Sequence, residues 1–306
     1  SILPQNRADA TPSKRRGGSG AGEGLGVDWQ ERLRAYQADR VSGAMALADQ
    51  AAWILEAWAQ AAPAERMEDL RAGLEALLAA LHAAHPDMAP PLHLAAAARR
   101  ALAEAPDPPA ARAALSAAAR AFRERLEAHE EAAARHAAAL LHRARVIMTH
   151  SRSGTVLRAL AFLAREGHPL EVICPFSEPG GEGRRMAEDV AAQGHSALLL
   201  PDLVALQWLP EVDLVLVGAD AWDAEGIVNK VGTRAIARLA RAFGRPCWAV
   251  TVSEKRWPPE AGLHPARRPA PLPRSAEEAR WFEFIPYAEL TGLIREDGPH
   301  PGGPPP

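Results

Sequence analysis

The sequence contains little cysteine, no excess of positive charge and no long apolar run. Its 306 residues include only two cysteines, Cys174 and Cys247, and both lie in apolar runs typical of strands. A disulfide framework is therefore not expected, and a reducing compartment such as the cytoplasm fits. The formal net charge of −3 argues against direct binding of nucleic acid, which normally requires a basic surface. No uncharged apolar stretch of about 18 residues is present, so a membrane span is not expected.

Several active-site motifs are also missing. No glycine-rich fingerprint follows any predicted strand, which disfavours a nicotinamide-dependent dehydrogenase. The glycine-rich stretch from Gly18 to Gly24 has no strand before it and is interpreted as a flexible linker. Neither a Ser-His-Asp spacing, a zinc-ligand spacing nor a Walker A loop occurs, and we expect neither a cofactor nor a metal. The amino end is polar, so no secretory signal is expected.

What is present divides the chain into two halves between two low-complexity ends. Residues 1–26 and 299–306 are predicted to be disordered tails. In residues 27–143, apolar positions from Leu33 to Trp58 recur at three- and four-residue steps, which predicts one buried helical face. A long helix is predicted from about Pro109 to Arg143 because this stretch is rich in good helix formers. This half is expected to be a helical domain without evident chemistry.

Residues 144–298 show a different pattern. Short apolar runs alternate with helical segments, and this alternation predicts an α/β, Rossmann-like domain with a mostly parallel, doubly wound sheet. The predicted strands are RVIMT, LEVICP, SALLLP, DLVLVG, PCWAVTV and WFEFIP. Open sheets of this kind bind ligands at the carboxyl ends of their strands, where helix N-termini present free N–H groups. Three segments at such places carry polar residues.

The first segment, residues 149–155, follows the strand RVIMT and precedes a helix. Its serines, its glycine and Arg152 supply the hydroxyl, backbone and guanidinium donors that an anion site needs. The candidates are Ser151, Arg152, Ser153 and Gly154. A helix cap followed by a tight turn explains the same residues equally well, so both interpretations stay open. His150 is a possible base, or is simply packed at the strand end.

The second and third segments follow the strand DLVLVG. Asp220 ends the sequence Gly-Ala-Asp and would face the crevice as a general acid or base, or as an acceptor for sugar hydroxyls; the alternative is a loop Asp bonded to backbone donors. Asn229 and Lys230 precede another predicted helix and suit a phosphate or a hydroxyl-rich ligand; a solvated lysine is the alternative. Arg185, in the helix after the second strand, is a further candidate for phosphate binding.

These residues carry a resemblance to a known superfamily. The succession THSRSG, SEPGGEGRRMA, LVLVGADAWDAEGIVNKVGT and PCWAVTVSE resembles the alpha, beta and delta regulatory subunits of translation initiation factor 2B. It is equally similar to the isomerases for methylthioribose-1-phosphate and ribose-1,5-bisphosphate. The likeness runs from about Val41 to Gly298. It implies a helical N-terminal domain, a Rossmann-like C-terminal domain that forms a homodimer, and a small phosphorylated ligand.

The resemblance also implies roles for single residues. In the isomerases a Cys follows the Thr-His pair and works with the Asp of Gly-Ala-Asp, which Asp220 matches; Asn229 and Lys230 match the substrate-contacting pair. Here Ser151 replaces the Cys, and a serine hydroxyl cannot act as a proton shuttle without a base beside it. Two arginines of the isomerases are also replaced, by Ser42 and by Glu178. The regulatory subunits tolerate such losses but generally lack the Asp.

Three hypotheses follow. The first is a homologue of the regulatory subunits that binds a sugar phosphate or nucleotide without efficient isomerase turnover. The second is an active aldose–ketose isomerase that uses Asp220, with Ser151 or a water in place of the thiol. The third, a translation factor that binds a protein partner, rests on analogy alone.

Overall fold

The computed structural model describes residues 28–39, 42–63, 65–269, 271–275 and 278–304. The tail predicted over residues 1–26 lies outside these ranges. Before the sheet, the described residues form helices α1 (Trp29–Ala38), α2 (Ala44–Ala61), α3 (Met67–Ala84), α4 (Pro90–Glu104) and α5 (Pro108–Leu141). Asp107 begins α5 by accepting the N–H of Ala110 at 2.8 Å, and Pro108 fits the first turn, where no N–H partner is needed.

The predicted helical face from Leu33 to Trp58 is divided between two helices. α1 ends at Ala38, and the Asp39 carboxylate accepts the N–H of Ser42 at 2.9 Å before α2 begins at Ala44. The periodicity continues across the break because both helices pack against the same core. The long helix was predicted within two residues of its observed bounds at each end.

The second half alternates strands and helices, as the sequence predicts. Its elements are β1 (Val146–Met148), α6 (Gly154–Arg165), β2 (Glu171–Pro175), α7 (Gly183–Ala192), β3 (Ser196–Leu200), α8 (Asp202–Leu206), β4 (Leu214–Gly218), β5 (Ala221–Trp222), β6 (Gly226–Lys230), α9 (Thr233–Ala242), β7 (Cys247–Val250), β8 (Phe282–Pro286), β9 (Gly292–Arg295) and β10 (Gly298–Pro301). Seven strands form one sheet in the order β10-β9-β7-β4-β1-β2-β3, all parallel except β10. The α/β, Rossmann-like fold class is confirmed.

Two predictions about the end of the chain are wrong. The run WFEFIP forms β8, which pairs antiparallel with β6 in a separate three-stranded sheet, β5-β6-β8, and not in the main sheet. The disordered tail predicted from residue 299 is also wrong for Pro299–Pro301, which belong to β10 and pair with β9. Backbone pairing orders this proline-rich segment although its composition favours no structure.

Apolar residues cover both faces of the main sheet. One face packs on α5, α6 and the rest of the helical half in a continuous core that includes Leu141, Ile147 and Leu216. The other face packs on α9 through Val215, Ile236 and neighbouring residues. The division into two separate domains stays a prediction. Among the described residues, no helix is long and apolar enough to cross a membrane.

Candidate functional site

The strand order brings the first two predicted segments together. β1 and β4 are parallel neighbours, so the loops after Met148 and after Gly218 leave the same edge of the sheet side by side. Gly218 shows how close they are, because a Cβ built on it would lie 2.6 Å from the Ser153 hydroxyl. A larger residue at this position would push the two loops apart. Ser151 and Asp220 therefore lie in adjacent loops.

The loop after β1 is held by a residue that the sequence analysis missed. Ser151 has a φ of 62°, and its N–H donates to the hydroxyl of Ser177 at 2.8 Å. Ser177 is fully buried, has a φ of 64°, and its hydroxyl lies 3.1 Å from the Pro175 carbonyl, to which it donates. Two non-glycine residues in the left-handed region store strain that this contact holds in place. Ser177 follows β2 at the same sheet edge, so the strand-end rule could have found it.

The start of α6 offers backbone donors. The Ser153 hydroxyl caps the helix by accepting the N–H of Val156 at 3.3 Å. The N–H groups of residues 152–155 have no acceptor among the described residues, so four donors remain open beside the Ser151 loop. A carboxylate of α5 is close by, since Glu130 accepts from the Thr155 hydroxyl at 3.0 Å. The cap and the anion site proposed from the sequence are thus compatible.

Two predicted arginines lie away from these donors. Arg152 is exposed, and its Nε donates to Asp189 of α7 at 2.7 Å. Arg185 is exposed on α7. Among the described residues, neither guanidinium contacts the loop at the strand edge. The donors at that edge are therefore backbone N–H groups.

His150 is packed at the strand end. It is 3% exposed, and its Nε2–H donates to the Val231 carbonyl at 2.9 Å. Its Nδ1 faces the Ser177 hydroxyl at 3.4 Å. Burial lowers the pKa of His150, partly opposed by its bond to Val231. A neutral imidazole with both nitrogens so placed does not serve as a base for Ser151.

Asp220 lies in the loop that follows β4. Its N–H donates to the Val228 carbonyl at 2.8 Å, whereas its side chain makes no hydrogen bond or ion pair with the described residues. Desolvation raises the pKa of Asp220, and the positive charge of Lys255 opposes that rise. A carboxyl group whose pKa is raised by burial is a candidate general acid or base.

Lys255 is the second residue that the sequence analysis missed. It follows β7, the other neighbour of β4, and is 5% exposed. Its ammonium donates to the Ala219 carbonyl at 2.8 Å, directly before Asp220. Burial lowers the pKa of Lys255, and the charge of Asp220 opposes this. The sequence PCWAVTVSEK places this lysine after a predicted strand, which was the available signal.

Asn229 and Lys230 lie elsewhere than expected. They belong to β6 of the antiparallel sheet and not to a loop after a parallel strand. Lys230 is 2% exposed; its ammonium contacts Glu182 at 3.0 Å, the Pro179 carbonyl and the ring of Trp281. The Asn229 amide donates to the hydroxyl of Thr233 at 3.1 Å. Both side chains are therefore bonded within the protein.

The helix start after Lys230 is also occupied. The N–H groups of Gly232 and Arg234, at the beginning of α9, donate to the Glu283 carboxylate at 2.8 and 2.9 Å. A carboxylate of the protein thus takes the place where a phosphate was expected. The positive charge of Lys230 still acts on Asp220, where it opposes the rise in the pKa of that carboxyl group.

Two cavities in the described structure are lined by other residues. One of about 410 Å³ lies beside α5 and α6 and is lined by Arg158 and Phe162 among others. Another of about 440 Å³ lies between α2 and α3, next to Trp58. The described residues contain no group of three or more His, Cys, Asp or Glu side chains arranged to hold a metal ion.

Comparisons with known proteins agree with this fold. The crystal structure of a Pyrococcus horikoshii translation initiation factor eIF-2B superposes with a TM-score of 0.75 at 25% identity, covering 89% of this chain and 96% of that one. The 5-methylthioribose 1-phosphate isomerase of the same organism superposes with a TM-score of 0.72, over 89% of this chain and 84% of that one. At 23% identity the second likeness concerns the fold alone.

The similar curated sequences include both isomerases and factor subunits. The ribose 1,5-bisphosphate isomerase of Haloferax volcanii is 34% identical over 37% of this chain and 35% of its own length. The 5-deoxyribose 1-phosphate isomerase of Moorella thermoacetica is 29% identical over 58% of each chain. The eIF2B subunit alpha of Dictyostelium discoideum is 36% identical over 36% of this chain and 34% of its own length. These matches span about a third to three fifths of the relatives.

A family model gives the broadest match. The model of the initiation factor 2 subunit family covers residues 40–257, well over half of the sequence. This range includes helices α2 to α5, the loop after β1, Asp220 and Lys255. The chain belongs to the initiation factor 2 subunit family.

Proposed function

We propose that the protein binds a sugar phosphate or a nucleotide at the carboxyl edge of the main sheet, without efficient isomerase turnover. The observation that carries the proposal is the set of open N–H groups at residues 152–155, in a loop adjacent to that of Asp220. Open donors at a helix N-terminus suit a phosphate, and a carboxylate suits sugar hydroxyls. Of the candidates from the sequence, we propose Ser151, Ser153 and Gly154 as contacts at this loop. Arg152 and Arg185 are exposed, and Asn229 and Lys230 are bonded within the protein.

The surroundings of Ser151 support binding more than turnover. A serine hydroxyl needs an adjacent base to take part in proton transfer. The nearest histidine, His150, is buried and bonded through Nε2 to the Val231 carbonyl. The described residues provide no hydrogen-bonded base for Ser151, whose N–H is itself used to contact Ser177. Both cysteines are buried in strands away from this position, so neither replaces the missing thiol.

Asp220 favours the second candidate, an aldose–ketose isomerase acting on a ribose-1-phosphate type of substrate. Its raised pKa suits a group that moves a proton between two sugar carbons. Isomerases of phosphorylated sugars are among the similar proteins. In this alternative a water or Ser151 acts in place of the thiol.

We further propose that the protein acts in the cytoplasm as a homodimer formed through the α/β half. Three apolar side chains are exposed around the edge strand β3 and the segment after it: Leu198 (46%), Leu203 (79%) and Trp208 (46%). Exposed apolar groups next to an unpaired strand edge are typical of a surface that a partner covers. A second copy of the chain would bury these side chains against each other.

Calorimetric titration with ribose 5-phosphate and with adenosine monophosphate tests the proposed binding. We expect saturable heat from at least one ligand, and an affinity at least about tenfold weaker in an Asp220→Asn variant, which corresponds to about 1.4 kcal/mol. Absence of heat from the folded protein with either ligand would contradict the proposal. Sedimentation of the same samples would give the oligomeric state.

A Ser151→Cys variant separates the two candidates, with Ser151→Ala as the matched control. If the protein is a binder, the natural chain and the Ala variant interconvert no sugar phosphates, and only the Cys variant can gain activity. Conversion of a ribose-1-phosphate-type aldose to its ketose by the natural chain would instead establish the isomerase.

A further inference from the structure

The helical half reaches the proposed site through a short stretch of α5. Glu130 of this helix is 7% exposed, and its carboxylate accepts the Thr155 hydroxyl at 3.0 Å. Thr155 is itself 1% exposed and is the second residue of α6. A Cβ built on Gly154, the first residue of α6, would lie 3.5 Å from Glu130 Oε1. A buried hydrogen bond from the helical half therefore fixes the helix start that presents the open N–H groups.

The neighbouring residue of α5 reaches the segment behind the other loop. The His129 Nδ1–H donates to one oxygen of Glu254 at 3.0 Å, and the Arg125 Nε–H donates to the other oxygen at 3.0 Å. Glu254 is 4% exposed and lies in the short turn after β7, directly before Lys255. The Lys255 ammonium in turn donates to the backbone carbonyl that precedes Asp220. The same stretch of α5 thus also holds the support of the Asp220 loop.

These buried contacts differ from a nearby exposed one between α5 and α6. Arg158 of α6 donates to Glu127 of α5 at 3.1 Å, but the Glu127 side chain is 62% exposed. Exposed ion pairs contribute little to stability, whereas the loss of a buried hydrogen bond leaves a desolvated polar group without its partner. The contacts of Glu130 and Glu254 are therefore the ones that fix the position of the loops.

We propose that α5 positions both loops of the crevice, with Glu130 fixing the start of α6 and Glu254 linking Arg125 and His129 to the support of the Asp220 loop. The helical half, for which the sequence suggests no chemistry, then determines how tightly the α/β half binds its ligand. These side chains are positioning residues, which act through the loops and need not touch the ligand. The effect on ligand affinity rests on the proposed function, whereas the effect on the helix start does not.

The physical reason is the weakness of the first turn of a helix. Its N–H groups have no partner within the helix, so this turn frays more easily than the middle. Donors bind an anion tightly only when they are held in place before the ligand arrives. The Thr155 hydroxyl ties this turn to α5, a helix of 34 residues whose apolar face lies in the main core. Loss of this bond should therefore loosen the donors and leave the rest of the fold in place.

Hydrogen exchange of the full chain without ligand tests the positioning directly. The N–H groups of Val156 and Leu157 donate to Ser153 and report on the first turn of α6. In Thr155→Val, which keeps the shape of the side chain but removes its hydroxyl, we expect these amides to exchange at least about fivefold faster relative to those of β2. Thr155→Ser keeps a hydroxyl and should restore the natural rate. Unchanged exchange in Thr155→Val would overturn the inference.

Glu127→Gln is the matched control, because it alters an exposed contact between the same two helices. It should change the exchange of Val156 and Leu157 by less than about twofold. An increase equal to that in Thr155→Val would mean that any contact between α5 and α6 has the same effect. The assignment to the bond between Thr155 and Glu130 would then be wrong.

Calorimetric titration with ribose 5-phosphate and adenosine monophosphate tests the consequence for binding. The ligand that binds the natural chain should bind at least about fivefold more weakly to Thr155→Val and about threefold more weakly to His129→Ala, with Thr155→Ser unchanged. The two losses should multiply in the double variant, because the two residues hold different loops. Unchanged affinity in either single variant would overturn the inference that α5 positions both loops and leave the proposed function standing. Absence of binding to the natural chain would overturn the proposed function, and the exchange experiment would then decide the positioning of α6 by itself.

Discussion

Two helices of this protein begin after polar loops of similar composition, yet their N-termini differ. At α6 the N–H groups of residues 152–155 are open, and Ser153 caps only the N–H of Val156. At α9 the Glu283 carboxylate accepts the N–H groups of Gly232 and Arg234. The first N-terminus can receive an external anion, whereas the second already contains one from the protein. A polar loop before a helix thus indicates an anion site only when no carboxylate of the chain accepts its backbone N–H groups.

The charged side chains beside the two N-termini also differ in burial. Lys230, near α9, is buried in an ion pair, whereas Arg152, near α6, is paired with Asp189 at an exposed surface. We therefore expect the residues near α9 to matter chiefly for stability and those near α6 chiefly for binding. Three predictions test this contrast.

The largest effect is expected for Lys230→Met. It leaves Glu182 partly buried without its cation, so the free energy of unfolding should fall by about 2 to 3 kcal/mol. Urea denaturation measures this change. Arg152→Ala is the control for the exposed pair and should change stability by less than about 0.5 kcal/mol. Similar losses in both variants would remove the distinction between the two regions.

A smaller effect is expected for Glu283→Ala. This change leaves the N–H groups of Gly232 and Arg234 without their acceptor, at a cost of about 1.5 kcal/mol in unfolding free energy. Ligand affinity should not change. Ser153→Ala, the matched change at α6, should cost about 1 kcal/mol and also weaken binding of a phosphorylated ligand. Weaker binding in the Glu283 variant would contradict the assignment of the anion site to α6 alone.

The smallest effect concerns Glu289, which joins the outer side of α9 to Arg234 and Arg238. Its hydrogen bond to Arg234 is the main cause that lowers the pKa of Glu289 to about 2 from 4.5. The resulting stability is therefore present above pH 4.5 and is lost as the pH falls towards 2. Because the arginines are 37% and 60% exposed, solvent screening limits the contribution to about 1 kcal/mol.

Denaturation of Glu289→Gln at several pH values checks this prediction. The variant should be less stable than the natural chain at pH 7, and the difference should close as the pH falls from 4.5 towards 2. A difference that persists unchanged at low pH would show that packing, and not the charge of Glu289, is responsible.

Much of the architecture was predictable because it depends on local patterns. The apolar runs at β1, β2, β3, β4 and β7 fixed the parallel strands, and the three- and four-residue periodicity fixed the helices. The short β5, the polar-ended β6, the parallel strand β9 and the proline-containing β10 were not predicted. Their strand character comes from pairing with distant segments, which no local pattern reveals.

The candidate site was predictable only in part for the same reason. Ser151 and Asp220 lie at ends of recognisable strands, so the strand-end rule found them. Ser177 and Lys255 also follow recognisable strands, so the same rule could have found them. The partners of Lys230 could not be predicted, because Glu182 is 48 residues away in the chain.

The sequence by itself determined the residue types at each strand end, the replacement of the isomerase Cys by Ser151 and the family to which the chain belongs. Only the tertiary structure decided which of these groups remain available. Whether a lysine or a helix N-terminus is open depends on which carboxylates reach it, and the approach of Glu182 and Glu283 is set by packing between segments far apart in the chain.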